Sequence, residues 1–156
     1  MEHDVTGNWL EQVISEFAGL DREERLELLI DYARELPPLP PDRLGLSRDA
    51  SCKINECQTP VYLDCSKAGN RLHFVADVPE KSPTVRGFVA LLVKHLEGSE
   101  PQAAESLSPD LLQQLGLQEV LGMTRVRGFA GILKRIRRLA LEDSSGSVGD
   151  SAEGPL

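Results

Sequence analysis

Four prolines in five residues, Pro37-Pro38-Leu39-Pro40-Pro41, set the strongest limit on how this chain can fold. Proline has no amide hydrogen and pushes its predecessor out of α geometry, so a helix reaching this run must stop. What reaches it is helical. Trp9, Leu10, Val13, Ile14 and Phe17 recur at helical spacing, predicting a first helix over residues 8–17 that Gly19 ends. Asp21 followed by Glu24 reads as an N-cap with its reciprocal carboxylate. Leu26, Leu29, Ile30, Ala33 and Leu36 give this second helix its apolar face, so two short helices packed as a hairpin are expected.

Beyond the prolines the pattern changes. A polar loop over 42–50 leads into three segments with strand character, 51–56, 60–66 and 71–77, expected to pair as a meander. Ala68-Gly69-Asn70 supplies the turn between the second and third. Leu72, Phe74 and Ala76 alternate with His73, Val75 and Asp77, giving the third strand one core face. Three strands cannot stand alone, so helices must cover one side. Ser82-Pro83 is a helix start, a capping hydroxyl before proline at the first helical position. Phe88, Leu91, Leu92 and Leu96 form the stripe of that helix and Gly98 closes it. Ser108-Pro109 repeats the start signal before Leu111, Leu112 and Leu115. A last helix is predicted over 124–141, with Phe129, Ile132, Leu133, Ile136 and Leu139 on one side. The order predicts an α+β fold in one domain, residues 1–141. Residues 142–156, rich in Ser, Gly, Asp and Glu, are expected to form a disordered acidic tail. No internal repeat occurs. Gly128-Phe129-Ala130-Gly131 falls inside a helical pattern, not after a strand, which argues against a phosphate loop.

Composition narrows the function. A net charge of −8 argues against general nucleic-acid binding, which needs a basic footprint. No apolar run reaches the ~18 residues of a membrane span, and Met1-Glu2-His3-Asp4 lacks the features of a signal peptide. A cytoplasmic protein with reduced thiols is expected.

The chemistry then rests on three cysteines, Cys52, Cys57 and Cys65. They form no Cys-x-x-Cys pair, and His3, His73 and His95 are scattered, so neither a zinc site nor any other metal centre is expected. Cys57 lies in Glu56-Cys57-Gln58-Thr59-Pro60, between two strand-like segments. An exposed hairpin tip there would suit a thiol that meets another protein, because accessibility and thiolate fraction govern reactivity. The same residue also fits a small buried hydrophobe. If Gln58-Thr59 is a two-residue connection, Cys52 pairs with Cys65 and Ile54 with Leu63.

The segment Glu56-Cys57-Gln58-Thr59-Pro60-Val61-Tyr62-Leu63 resembles the surroundings of the sulfur-accepting cysteine in the SufE family of cysteine desulfuration proteins. Further matches follow in order. Thr84-Val85-Arg86-Gly87-Phe88-Val89-Ala90-Leu91-Leu92 resembles the start of a family helix, and Leu111-Leu112-Gln113-Gln114-Leu115-Gly116-Leu117 its short helix. Arg125-Val126-Arg127-Gly128-Phe129, leading into Ile132-Leu133-Lys134-Arg135-Ile136, resembles the final helix. The similarity spans about residues 10–141.

The resemblance implies a SufE/IscU-like fold, a three-stranded antiparallel meander packed against N- and C-terminal helices. It implies that Cys57 takes persulfide sulfur from a SufS-like cysteine desulfurase, stimulates that enzyme and relays the sulfur toward iron–sulfur cluster assembly, with an iron–sulfur scaffold complex as a further partner. No cofactor, no nucleic-acid partner and no independent turnover are expected. Glu56, Gln58, Thr59, Arg86, Arg125 and Arg127 become supporting or docking residues. Glu56 beside the thiol would raise its pKa, so activation must come from arginines such as Arg125 and Arg127 or from the partner. Arg125, Arg127, Lys134, Arg135, Arg137 and Arg138, with no acid among residues 125–138, form a positive patch that reads as a docking surface for an acidic partner, although cations suited to a helix C-terminus and a solvated face are the favoured reading for Lys134 to Arg138. Many members have glycine where this chain has Glu56, serine at Thr59 and asparagine at Arg127, and the stretch Pro79-Glu80-Lys81-Ser82 lacks their Asp-Ala pattern; these departures read as subfamily variation. The alternative of a cluster or metal-binding scaffold would need Cys52 and Cys65 to converge on Cys57, although they sit ~15 to 20 Å along the strands at ordinary strand rise. A stand-alone thiol enzyme would need His73 or His95 brought to Cys57 as a base.

Overall fold

The computed structural model describes residues 5–142, with side chains from Trp9 onward. Helix α1 spans Val5–Ala18 and α2 spans Arg22–Ala33. The Asp21 carboxylate accepts from the Glu24 amide at 2.9 Å while the Asp21 amide donates to the Glu24 carboxylate at 2.9 Å, so the expected capping box forms. Helix α2 ends before the prolines, and short 3-10 turns occupy Pro41–Arg43, Leu46–Arg48 and Ala50–Cys52.

The sheet departs from expectation. It has two antiparallel strands, β1 (Tyr62–Ala68) and β2 (Arg71–Asp77), not the three of a meander. Gly69 and Asn70 make the turn at φ +58° and +65°, the left-handed pair that a tight hairpin demands. The segment over 51–56 is not a strand because a local cap captures its backbone. Asp49 accepts from the Ser51 amide at 3.0 Å, and the Cys52 and Lys53 amides turn back onto Asp49 and Ala50 carbonyls. What survives of the third strand is a single bridge, Lys53 with Tyr62, and one bond from the Ile54 amide to the Val61 carbonyl at 2.9 Å. The anticipated register fails with it: Ile54 faces Val61, two residues from the expected Leu63. Cys65 pairs with Phe74, while Cys52 lies in the 3-10 turn.

A lone hairpin is marginal in water, so its edges must be covered. Helix α3 (Pro83–Leu96) does this where it ends. The Gly98 amide donates to the Leu72 carbonyl and the Leu72 amide to the Ser99 carbonyl, both at 2.8 Å. The Glu97 carboxylate accepts from the Phe74 amide at 2.9 Å and meets His73 Nδ1 at 2.8 Å. Pro83 opens α3 as predicted, but the Ser82 side chain makes no capping bond.

Helix α3 is the axis of the core, with Phe88, Leu91, Leu92 and Leu96 fully buried. Helix α2 packs on it at Gly87, where a Cβ atom would stand 1.9 Å from the Leu29 carbonyl oxygen. Short α4 (Asp110–Gln114) and long α5 (Met123–Leu141) complete the fold. Phe88 stacks on Phe129 of α5 with ring centroids 4.3 Å apart, tying α3 to the helix beneath the cysteine loop. No described helix is long and apolar enough to cross a membrane. The tail expected from residue 142 lies, after Glu142, outside the described residues.

Candidate functional site

The chain between the Ile54 and Val61 contacts is a loop, not a tight turn, and both anchoring side chains are fully buried. The Cys57 amide bonds back to the Ile54 carbonyl at 3.3 Å, which folds the loop inward. Cys57 is consequently buried, 9% exposed, and not the exposed tip expected for it. The cause lies far along the chain, on α5. A Cβ atom on Gly128 would sit 3.1 Å from the Cys57 sulfur, and one on Gly131 would sit 2.6 Å from the Glu56 Cβ. Both are helical positions where glycine costs roughly 1 kcal/mol relative to alanine, so a packing reason is needed. These bare positions let residues 56–57 lie directly on the helix. Two glycines three apart in an otherwise periodic helix were the available sequence signal for this contact.

The loop and helix enclose a cavity of about 300 Å³, lined by Cys57, Gln58 and Thr59 on one side and by Val85, Thr124, Arg125 and Phe129 on the other. Burial pushes the Cys57 thiol above its ordinary pKa, and the Glu56 carboxylate adds to this, while a hydrogen bond from the Thr59 backbone partly offsets them. The resting thiol is therefore protonated at neutral pH. Of the charged groups, the one that weighs on it is acidic, as the sequence led one to expect of Glu56.

The other residues separate. Arg125 is exposed and lines the Cys57 cavity. Gln58 is exposed and Thr59 half-buried, and both line it as well. Arg127 is exposed and does not line it. Arg86 is turned away, donating to the Ala33 and Val78 carbonyls, so it clamps the end of α2 to the exit of β2. Cys52 is buried in its turn, and that burial raises its pKa, with Asp64 and Asp49 adding to the effect. Burial pushes the Cys65 thiol up to about 11. Among the described residues no three His, Cys, Asp or Glu side chains group as metal ligands would. His73 is engaged with Glu97, and His95 stacks on Trp9 at 5.2 Å, so neither is placed as a base for Cys57.

Residues 11–140 match the SufE family model, described as an Fe-S metabolism associated domain. The chain belongs to the SufE family. Among its SufE relatives, an uncharacterized SufE-like protein of Mycobacterium tuberculosis is 38% identical over 134 residues, covering 83% of this chain and 89% of that one. The SufE-like protein 1 of Arabidopsis thaliana, chloroplastic or mitochondrial, is 29% identical over 150 residues, spanning 92% of this chain and 39% of the plant protein. A solution structure of a hypothetical protein from Thermus thermophilus superposes with a TM-score of 0.72 at 31% identity, covering 86% of this chain and 95% of the other. The SufE fold is thus α+β with a two-stranded sheet in this member, and the family match links the chain to iron–sulfur metabolism.

Proposed function

We propose that this SufE-family protein accepts sulfur on Cys57 from the persulfide of a cysteine desulfurase, stimulates that enzyme and passes the sulfur toward iron–sulfur cluster assembly. The observation that carries the reading is the position of Cys57: a lone thiol, held on α5 by two glycines, at the wall of a cavity with room for one more sulfur atom. Gln58, Thr59 and Arg125 share that cavity wall and Glu56 adjoins Cys57 in the chain, which suits them to support or docking. Arg127, exposed on α5 outside the cavity, is assigned to docking, and Arg86 supports from a distance by fixing the start of α3.

The reaction is a thiol–persulfide exchange. The Cys57 thiolate attacks the outer sulfur of the donor persulfide, forming a new S–S bond to that sulfur. The donor's own S–S bond breaks, its electron pair leaves on the donor thiolate, and Cys57 becomes the persulfide. Sulfur moves without net oxidation. Because the resting thiol is buried and protonated, binding of the donor must both open the 55–60 loop and remove the thiol proton, which over the whole exchange ends on the donor thiolate. The persulfide product is a stronger acid than the thiol, and Arg125 stands at the cavity wall where that anion would form.

The decisive test is sulfide release by the desulfurase with and without this protein. Wild type should raise the rate, and Cys57→Ser should abolish the rise while keeping the fold by circular dichroism. Stimulation by Cys57→Ser equal to wild type would refute the assignment. Equal loss from Cys52→Ala, Cys57→Ala and Cys65→Ala would favour a shared metal or cluster site instead.

A further inference from the structure

Charge is segregated along this chain. Six of its 17 lysines and arginines lie in α5, which contains no Asp or Glu, while the rest of the protein holds all 25 acids against 11 basic residues. The helix under Cys57 is the positive element of an acidic protein. Its C-terminal half borders an open groove of about 650 Å³, lined by Lys134, Arg135, Arg137 and Arg138 together with Glu56 and Glu142.

Local structure accounts for only part of these cations. Arg135 donates to the Ser51 and Lys53 carbonyls at 3.4 and 2.8 Å, and Arg137 to the Glu105 carbonyl at 3.3 Å. Those bonds hold α5 to its loops but neutralise no charge. Arg138 meets the Glu142 carboxylate at 3.4 Å on exposed surface, a contact of small worth. Lys134 is exposed and lines both this groove and the shallow pocket beside residues 105–109. A preference of cations for a helix C-terminus explains their place on the helix. It does not explain why the groove runs up to the cysteine loop. Glu56 lines the groove and Cys57 lines the cavity, so adjacent residues of one loop face two concave surfaces. From Gly128 to Arg138 is ~15 Å of helix at the usual rise, within one interface footprint.

Resting on the sulfur-acceptor reading, we propose that this groove is the docking surface for an acidic segment of the desulfurase that delivers sulfur to Cys57. Seating carboxylates against Lys134 and Arg138 sets the donor persulfide beside the loop and steers encounter of the two proteins. Contact with Glu56 lets docking pull on the residue that precedes the acceptor thiol. A protein partner is favoured over nucleic acid because the whole chain is acidic and two carboxylates stand within the groove itself.

The test is Lys134→Glu combined with Arg138→Glu, neither of which donates to a backbone carbonyl, against Arg22→Glu combined with Arg34→Glu, an equal charge change on exposed residues at the start of α2 and just past its end. Each protein is titrated into the purified desulfurase of the same organism, and the half-saturating concentration for sulfide release is read at low and at physiological salt. The groove variant should need about tenfold more protein at low salt, with a flatter salt dependence and a recovered maximal rate. The α2 control should stay within about twofold of wild type, as rim charges far from a contact do. Groove and control variants that titrate alike would overturn the docking surface. So would a changed rate of Cys57 alkylation by iodoacetamide in the free groove variant, since the charges would then act through the loop. Tight binding of a short single-stranded RNA that the groove variant loses would assign the groove to nucleic acid instead. Failure of wild type itself to stimulate would sink the acceptor reading, whereas equal half-saturating concentrations for wild type and groove variant sink the docking claim alone.

Discussion

Two packing contacts in this protein are built on glycine, one at Gly87 and one at Gly128 and Gly131, and they do different jobs. At Gly87, α3 meets α2 backbone to backbone, with a would-be Cβ 1.9 Å from the Leu29 carbonyl oxygen. Neither helix can yield there, because a main-chain carbonyl in a regular helix has nowhere to go. At Gly128 and Gly131, α5 meets the side chains of Cys57 and Glu56, carried on a loop. There the partner can move. The same absence of a Cβ atom fixes the fold in the first case and sets the exposure of a thiol in the second.

Alanine substitutions separate the two. Gly87→Ala should cost the most, about 3 kcal/mol or more, since overpacking against rigid backbone is poorly relieved. Urea unfolding measures it, and a loss under about 1 kcal/mol would show that α2 can shift. Gly131→Ala should cost about 1 to 3 kcal/mol and speed Cys57 alkylation several-fold, as Glu56 and its loop are pushed off the helix. Loss of stability without faster alkylation would make Gly131 another Gly87. Gly128→Ala is the mildest of the three, because a 3.1 Å contact needs only a few tenths of an ångström of relief. Its net effect should be within about 1 kcal/mol of zero, the clash being offset by better helix propensity, with a modest rise in alkylation.

The pH dependence sharpens the same contrast. Burial raises the Cys57 pKa in the folded state, so the folded protein holds that proton more tightly than the unfolded chain does. The midpoint of alkylation against pH should therefore lie above that of the urea-unfolded chain, and Gly131→Ala should move it back down. Stability from this thiol is complete below its unfolded pKa and is lost as pH rises through the folded one. A midpoint below the unfolded value would mean that a nearby cation such as Arg125 already activates the thiol at rest.

Local chemistry explains what could be read from the chain. Asp21 and Glu24, the proline run, Pro83 and Gly69-Asn70 each act within a few residues of themselves, and each did what its residue type dictates. The strand expected over 51–56 was lost to an equally local rival, Asp49, whose carboxylate takes the Ser51 amide in place of a ladder partner. Cys57 was singled out as a candidate by its neighbours, but its burial was not legible there, because it depends on Gly128 and Gly131 far along the chain. Arg86 shows the converse: the resemblance placed it with the site, and the structure uses its guanidinium to hold two carbonyls.

The central claim is that sulfur arrives on Cys57 and nowhere else. After incubation with a cysteine desulfurase and cysteine, intact mass should rise by one sulfur atom, reversibly with reductant. Peptide mapping should place that sulfur on the fragment carrying Cys57, with Cys52 and Cys65 unmodified. Sulfur found on Cys65 in place of Cys57 would contradict the account.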